Sequence, residues 1–347
     1  MAILYDAEKY DQALLAFSRA IKDRPNFADA YAERGFCNIC LNKDELARAD
    51  FTRAIALDAK NGRAHSGLGV YYGICRGKLG DAFSEFNKAI NCKPDDARTY
   101  NKRGDIFLSI SKFELALADY NKAIELKPDF AMAYVNRAYI VGKRGNHTLA
   151  LSDLTTAIEL QHDFYSAYLN RAITYEYFGK FELAIADFSK AIELKPDNFL
   201  PYMLRGLKYR YCGKLELALR DENKFIELKP DNATAYAFRG AVYIQMGRLD
   251  LAIKDETYAI SLKPDDTYAY SLRGQVYGES NMPFLALADL NKSLSLKPNR
   301  VQSAQIYYWR NLVYTKLGKP NLAQQDLDKA RALGYYEHQQ GETNGHH

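Results

Sequence analysis

Hydrophobic and polar positions recur along this chain with a period of 34 residues. The clearest marker is a proline after a short phrase such as "ELK", and successive prolines are separated by 34, 68, 34, 34 and 34 residues. They are Pro94, Pro128, Pro196, Pro230, Pro264 and Pro298. His162 occupies the skipped position, and Ala59 and Pro25 continue the series upstream, with one extra residue near Arg76. This period predicts an array of repeated supersecondary units.

Three places within each repeat are nearly invariant when the repeat is numbered from the third residue after its proline. Place four is tyrosine in eight of nine repeats, and place eight is glycine or alanine in eight. Small residues at places eight and twenty let two helix axes approach closely. Glycine in phrases such as "GKFE" ends the first helix, and the proline ends the second. Place twenty is always alanine: Ala47, Ala82, Ala116, Ala150, Ala184, Ala218, Ala252, Ala286 and Ala323.

These places resemble those of the tetratricopeptide-repeat family, which has aromatics at four and eleven, small residues at eight and twenty, and a terminal proline. The resemblance implies an all-α, right-handed α-solenoid of stacked antiparallel helix pairs with a concave inner groove. It predicts a partial repeat over residues 1–25 and nine repeats over residues 26–332 that form one superhelical domain. A polar tail over residues 333–347 is expected to be disordered.

A charged pair recurs at places seven and twenty-three. Eight repeats have arginine at seven and aspartate at twenty-three, whereas the repeat with Leu68 at seven has Glu85 at twenty-three. This joint occurrence predicts a bidentate salt bridge between the two helices of a repeat. The alternative is that the arginines bind a ligand. The pairs run from Arg34 with Asp50 through Arg103, Arg137, Arg171, Arg205, Arg239, Arg273 and Arg310, matched by Asp119, Asp153, Asp187, Asp221, Asp255, Asp289 and Asp326.

The family resemblance also implies where a partner binds. Its groove is lined by places two, five, six, nine, twelve and thirteen of the first helices. In repeats four to six these places form an apolar band beside tyrosines and a few charges, which is typical of a protein-binding surface. The alternative is that several of these side chains pack between repeats. The predicted binding residues are Met132, Val135, Asn136, Tyr139, Lys143, Leu169, Asn170, Glu176, Tyr177, Met203, Arg210 and Tyr211.

Glu222 and Glu256 are irregular, because the other repeats have a ring or a leucine at the same place, twenty-four. A carboxylate at such a place is costly unless it is paired. Either a lysine such as Lys208 compensates the charge, or the packing of repeats six and seven is looser and the array flexes there.

Composition and charge exclude several classes of function. The chain has 47 basic and 43 acidic residues, so a concentrated basic face for nucleic acid is not expected. Five unpatterned cysteines favour a reducing, cytoplasmic setting. The N-terminus has no signal-peptide pattern, and no apolar run is long enough for membrane insertion. Because no phosphate loop, nucleophile elbow or metal-ligand spacing occurs, we expect no catalytic residues, metal or cofactor.

The sequence therefore favours a non-enzymatic scaffold or adaptor that binds a peptide or protein segment in the groove. One alternative is the partner-recruiting repeat region of a larger enzyme or complex. Another is single-stranded RNA binding, for which related repeat proteins have a period of 35 and basic grooves. Both ends lack a polar cap, so a homodimer through uncapped ends is a further expectation.

Overall fold

The computed structural model describes residues 7–335, and within this range the chain forms nineteen α-helices and no β-strand. The chain divides into two compact units, residues 1–162 and 163–347. The first contains α1 (Ala7–Asp23), α2 (Ala28–Cys40), α3 (Asp44–Leu57), α4 (Gly62–Val70), α5 (Leu79–Cys92), α6 (Ala97–Ser109), α7 (Phe113–Leu126), α8 (Ala131–Lys143) and α9 (His147–Leu160).

The second compact unit continues the same alternation of helices. It contains α10 (Tyr165–Tyr177), α11 (Phe181–Leu194), α12 (Phe199–Tyr211), α13 (Leu215–Leu228), α14 (Ala233–Gln245), α15 (Leu249–Leu262), α16 (Thr267–Glu279), α17 (Pro283–Ser295), α18 (Arg300–Lys316) and α19 (Pro320–Ala332). From the predicted tail, residues 333–335 are described, and Tyr335 stacks on Tyr308 with ring centroids 4.4 Å apart. The rest of the tail lies outside the described residues.

Successive helices pack as pairs, from α2 with α3 to α18 with α19. The alanine at place twenty is buried in every repeat, which confirms its predicted role as the point of close helix approach. The turn within a pair contains one residue with positive φ. Gly179 has φ 66° there, and Asn42 adopts φ 57° without being glycine. The predicted all-α fold of repeated helix pairs is therefore confirmed.

Two helices absorb the irregularities of the period. After α4 the chain forms a π-helical turn at Tyr71–Cys75, and the wider turn takes up the extra residue that the period placed near Arg76. In the last repeat, α18 has 17 residues instead of the usual 13, so the insertion near Val301 lengthens its N-terminus. Asn299 and Gln302 form a capping box that starts this longer helix.

Place twenty-four lies at the centre of each helix pair, facing the small residue at place eight. Phe51 is fully buried, and a Cβ atom on Gly35 would come 2.5 Å from its ring. The glycine is needed here because the ring occupies the volume that any side chain would take. The ring of Phe36 meets Phe51 edge-on at 5.1 Å. The core therefore depends on a ring and a glycine fitting together.

The predicted salt bridge is present in all eight repeats that have the pair. Each arginine donates from Nε and Nη2 to the two carboxylate oxygens of its aspartate, with donor–acceptor distances of 2.6–3.0 Å. Most of them also donate from Nη1 to the preceding repeat, as Arg239 does to Asn223 at 2.8 Å. The ring of Tyr236 lies 5.7 Å from the same guanidinium. These arginines therefore join helices and repeats, and the ligand-binding alternative has no support.

The repeat without the pair has another polar contact between its two helices. His65 Nδ1 lies 2.6 Å from Glu85 Oε2, and Lys88 donates to Glu85 Oε1 at 2.7 Å. Burial alone raises the pKa of Glu85, but hydrogen bonds from Lys88 and His65 outweigh it and lower the pKa.

Candidate functional site

We call the side chains at places two, five, six, nine, twelve and thirteen of a first helix the first-helix face. On α8 these side chains differ in exposure. Met132 is half-buried and Lys143 is exposed. The ammonium of Lys143 lies 5.1 Å from the ring centroid of Tyr139. Val135, by contrast, is only 5% exposed and packs inside the first compact unit. The core alternative therefore holds for Val135, and the other three remain on the surface.

Asn136 belongs to a polar cluster within the first compact unit. Its Nδ2 donates to Asn101 Oδ1 at 3.1 Å and to Asp105 Oδ1 at 2.9 Å. The hydroxyl of Tyr120 also donates to Asp105 Oδ1, at 3.0 Å. Burial raises the pKa of Asp105 to about 6, against the opposing effects of Lys102 and Tyr120. Both donors of the Asn136 amide are thus used internally, and only its oxygen can accept a bond from a ligand.

In the second compact unit, α10 presents the most exposed part of the first-helix face. Tyr177 is 63% exposed and Ile173 is 44% exposed. Phe178, which follows Tyr177 in the turn, meets its ring edge-on at 5.7 Å and is 40% exposed. Leu169 is half-buried against the core cluster around Ala172, and Asn170 is half-buried beside it. Ile173, Tyr177 and Phe178 thus place three exposed apolar side chains close together in sequence on and just after α10, and clustered exposed apolar groups are typical of an interaction surface.

Helix α12 contributes polar groups next to this apolar surface. Lys208 donates to Glu176 Oε2 at 3.0 Å, so it does not compensate Glu222 as the sequence suggested. Burial raises the pKa of Glu176, and Lys208 opposes that shift. Among the described residues, Glu176 Oε1 and Arg210 Nε are buried without a hydrogen-bond partner. Such atoms are costly when unpaired, which favours a ligand or water as their partner.

Met203 and Tyr211 complete the predicted set on α12. Both are half-buried, and Tyr211 packs on Phe181 with ring centroids 4.8 Å apart. The structure therefore brings Glu176, Tyr177, Arg210 and Tyr211 to the carboxyl-terminal ends of α10 and α12. This group, together with Ile173, is called the α10–α12 patch.

A cavity in the last two repeats was not predicted. It measures about 210 Å³ and has Trp309 and Leu312 among its lining residues. Lys316 closes one side by donating to the carbonyl oxygen of Gly278 at 2.6 Å. The lining residues of α16 and α18 fall mostly on places of the first-helix face. The signal in the sequence was Trp309, the one tryptophan of the chain, at place six of its repeat.

A larger cleft of about 460 Å³ lies in the first compact unit, where α2, α4 and α6 begin. Its walls carry as many acidic as basic side chains. The pair between Arg63 and Glu33, at 2.7 Å, joins two of these helices. A surface of mixed sign does not favour a polyanion.

Two family models match the chain. One, described as ETO1 C-terminal domain, matches residues 11–205, and the other, described as Tetratricopeptide repeat, matches residues 233–266. The chain belongs to the tetratricopeptide-repeat family. Since the first match covers more than half of the chain, it also belongs to the family of the ETO1 C-terminal domain.

Solved structures show the same fold at low identity. A tetratricopeptide repeat protein from Parabacteroides merdae is 21% identical, with a TM-score of 0.58, and the match covers 72% of this chain and 97% of that one. The pilF protein of Pseudomonas aeruginosa is 18% identical, with a TM-score of 0.53 and coverage of 58% and 92%. A chain of the APC/C hetero-tetramer Cut9–Hcn1 is 17% identical, with a TM-score of 0.52 and coverage of 91% and 75%.

None of the helices in residues 7–335 combines the length and apolarity that crossing a membrane would require.

Proposed function

We propose that this tetratricopeptide-repeat protein is a non-enzymatic scaffold or adaptor that binds a peptide or protein segment on its first-helix face. The observation that carries the proposal is the α10–α12 patch, where Tyr177 and Ile173 are exposed on α10. In the same patch Glu176 and Arg210 each have a buried polar atom without a hydrogen-bond partner among the described residues. Exposed aromatic and aliphatic groups provide binding energy when a partner excludes water from them. The repeat fold itself fits a protein-interaction role.

The two unpartnered atoms have hydrogen-bonding roles that complement the backbone of an extended peptide. Glu176 Oε1 is an acceptor and Arg210 Nε–H is a donor, so a peptide N–H and a peptide C=O could satisfy them in turn. A small adjustment of the side chains must accompany this, since both atoms are shielded from solvent. Main-chain recognition of this kind gives affinity, and the apolar side chains beside it give specificity.

Within the first compact unit, α8 offers a separate group of first-helix side chains for a partner, namely Met132, Tyr139 and Lys143. The oxygen of Asn136 is its remaining group for a ligand N–H. We include Leu169, Asn170 and Met203 in the proposed surface as half-buried neighbours of the α10–α12 patch. A protein partner is also consistent with the Cut9–Hcn1 neighbour, whose chains assemble as a hetero-tetramer. The five free thiols support the proposed cytoplasmic setting.

Replacing Tyr177 and Tyr211 together by alanine is expected to weaken peptide binding at least about 30-fold, since the loss of even one interface hot spot costs about 2 kcal/mol or more. A phage-displayed library of random peptides is selected on the wild-type protein, and one enriched peptide is synthesised. Fluorescence anisotropy then gives its Kd for each variant, and circular dichroism checks that helix content is unchanged.

Tyr258→Ala is the matched control, because this tyrosine is also exposed but lies on the second helix of its repeat. It should bind the peptide as the wild type does. If Tyr258→Ala weakens binding and the double variant does not, the partner docks on the second helices. If no peptide is enriched on this protein more than on an unrelated helical protein, the proposal of peptide binding is wrong.

A further inference from the structure

Two glutamates occupy a place that holds a ring or a leucine in all of the remaining seven repeats. Place twenty-four holds a ring or a leucine in seven repeats, whereas the sixth and seventh have Glu222 on α13 and Glu256 on α15. Glu222 is 1% exposed and Glu256 is 0% exposed, so both side chains lie fully inside the second compact unit. A carboxyl group has therefore replaced the hydrophobic centre of two successive helix pairs.

The surrounding backbone is fitted to these side chains. A Cβ atom on Gly206 would lie 2.6 Å from Glu222 Oε1, and one on Gly240 would overlap Glu256 Oε1. Each carboxyl group thus fills the space that the Phe51 ring fills over Gly35. The glutamates are packed as core residues.

The carboxyl oxygens are poorly satisfied. Both oxygens of Glu256 and Oε2 of Glu222 are buried and have no hydrogen-bond partner among the described residues. A negative charge at such a position loses its hydration without gaining donors, so the neutral acid is the less costly form. Protonation leaves one hydroxyl and one carbonyl to place, which costs far less than an unpaired ion.

The charged groups on neighbouring helices only partly offset the effect of burial on Glu222. Arg210 on α12 and Arg239 on α14 act on it favourably, and Asp221 on its own helix acts against it. Arg239, however, is already held by a bidentate pair with Asp255, at 2.8 Å for both bonds. Asp221 is held in the same way by Arg205 on α12. Arg210 is thus the only uncommitted cation among those acting on Glu222.

Glu256 is in a less favourable field. Asp255 on its own helix and Asp266 at the start of α16 both oppose its ionisation, and Arg273 on α16 favours it. Arg273 is occupied by Asp289 through bonds of 2.6 and 3.0 Å. On α16, burial raises the pKa of Tyr268, and Glu256 and Glu222 raise it further, whereas Arg210 lowers it.

We propose that Glu222 and Glu256 are held as neutral carboxylic acids and form a proton-dependent weak section at α13 and α15, closely packed when both are protonated and loosened when either ionises. Burial raises the pKa of Glu222 to about 8 and raises that of Glu256 well above its ordinary value. The section therefore changes state near physiological pH, where a glutamate of ordinary pKa does not titrate.

The sign of the pH dependence follows from linkage. Because the pKa of Glu222 is higher in the folded than in the unfolded chain, its protonated form is fully stabilising below about pH 4.5, and that stability is lost as the pH rises through about 8. Within this window the ratio of folded to unfolded chains should fall up to tenfold per pH unit for each glutamate. Stability thus decreases towards alkaline pH.

The test compares the wild type with Glu222→Gln/Glu256→Gln, in which uncharged amides of equal size replace the acids. Urea unfolding is followed by circular dichroism at half-unit steps from pH 5 to pH 8.5. Half-buried acids of the wild type with raised pKa, such as Asp105 and Glu176, contribute a slope of the same sign, so the difference between the two proteins is the readout. Between pH 5 and pH 8.5 the ratio of folded to unfolded chains should fall in both proteins. We expect this fall to be at least tenfold smaller in the glutamine variant than in the wild type.

Glu227→Gln is the matched control, since Glu227 is on α13 but exposed and paired with Lys224 at 2.5 Å. It should keep the wild-type slope. If the slopes of the wild type and the double glutamine variant are equal, the proposal is wrong. Should the glutamine variant fail to fold, Glu222→Leu/Glu256→Leu replaces it, because two other repeats have a buried leucine at place twenty-four, Leu154 and Leu290.

Hydrogen exchange locates the effect. After correction for the pH dependence of intrinsic exchange, amides of α13 and α15 in the wild type should lose protection between pH 6 and pH 8.5, whereas those of α11 should change much less. In the leucine variant, α13 and α15 should stay protected throughout. Equal loss of protection in α11 and α13 would contradict a local weak section, even if the global slope were present.

Discussion

Replacing Arg171 by methionine is expected to lower the free energy of unfolding by about 3–5 kcal/mol, the range for breaking a buried ion pair from one side. Arg171 donates to Asp187 through Nε at 2.7 Å and Nη2 at 2.9 Å, and the aspartate side chain is nearly buried. Methionine keeps the length of the side chain but leaves the carboxylate without its charged donors. Urea unfolding monitored by circular dichroism measures the loss.

Arg48→Met is the control, because Arg48 forms an exposed pair with Glu45 at 3.0 Å. Surface pairs contribute about 0–1 kcal/mol, so this variant should be close to the wild type. The double variant Arg171→Met/Asp187→Leu should recover much of the loss, since a buried pair replaced as a whole is often nearly neutral. A loss below about 1 kcal/mol in Arg171→Met would show that the pair contributes little to stability.

This pair shows how far the sequence could reach. The joint occurrence of arginine at seven and aspartate at twenty-three was visible in eight repeats, and the structure contains all eight contacts. Fixed spacing on two helices of constant register determines which side chains meet, so repetition made the contact predictable. In the repeat of Leu68 the sequence showed His65 and Glu85 separately, but their pairing at 2.6 Å was not foreseen because it occurs once.

Fold prediction succeeded for the same reason. Place twenty is buried in all nine repeats because alanine there lets the paired helices touch, and one position repeated nine times is a strong signal. The extra residue near Arg76 could be located from the period. The π-helical turn at Tyr71–Cys75 that absorbs it could not, since the choice between a wider turn and a longer loop depends on tertiary packing.

The candidate site was less predictable, because periodicity gives the face of a helix but not the depth of a side chain. Val135 belongs to the first-helix face and yet is buried, whereas Tyr177, which belongs to the same set of places in the next repeat, is exposed. Asn136 is bound by Asp105 and Asn101, and Lys208 pairs with Glu176 instead of Glu222. Each of these outcomes depends on a side-chain rotamer and on the neighbouring repeat, which a single-repeat pattern does not contain.

Truncating Phe51 to alanine is expected to cost about 3–5 kcal/mol, the range for removing a buried ring. The ring is fully buried, and it fits between Gly35 on α2 and Gly67 on α4, whose missing Cβ atoms make room for it. Because neither glycine has a side chain that could move into the gap, the cavity should stay largely open. Phe51→Leu should cost less, since Leu290 fills the same place over Gly274.

The two glycines allow a sharper test than the size of the loss. In the wild type, Gly67→Ala should destabilise by about 1–3 kcal/mol, because its Cβ would overlap the ring of Phe51. In the Phe51→Ala background the same substitution meets an empty space and gains up to about 1 kcal/mol of helix propensity. The effect of Gly67→Ala should therefore change sign, giving a coupling of roughly 2 kcal/mol or more in a double-mutant cycle. Additive effects would mean that the ring and the glycine are not in direct competition for the same volume.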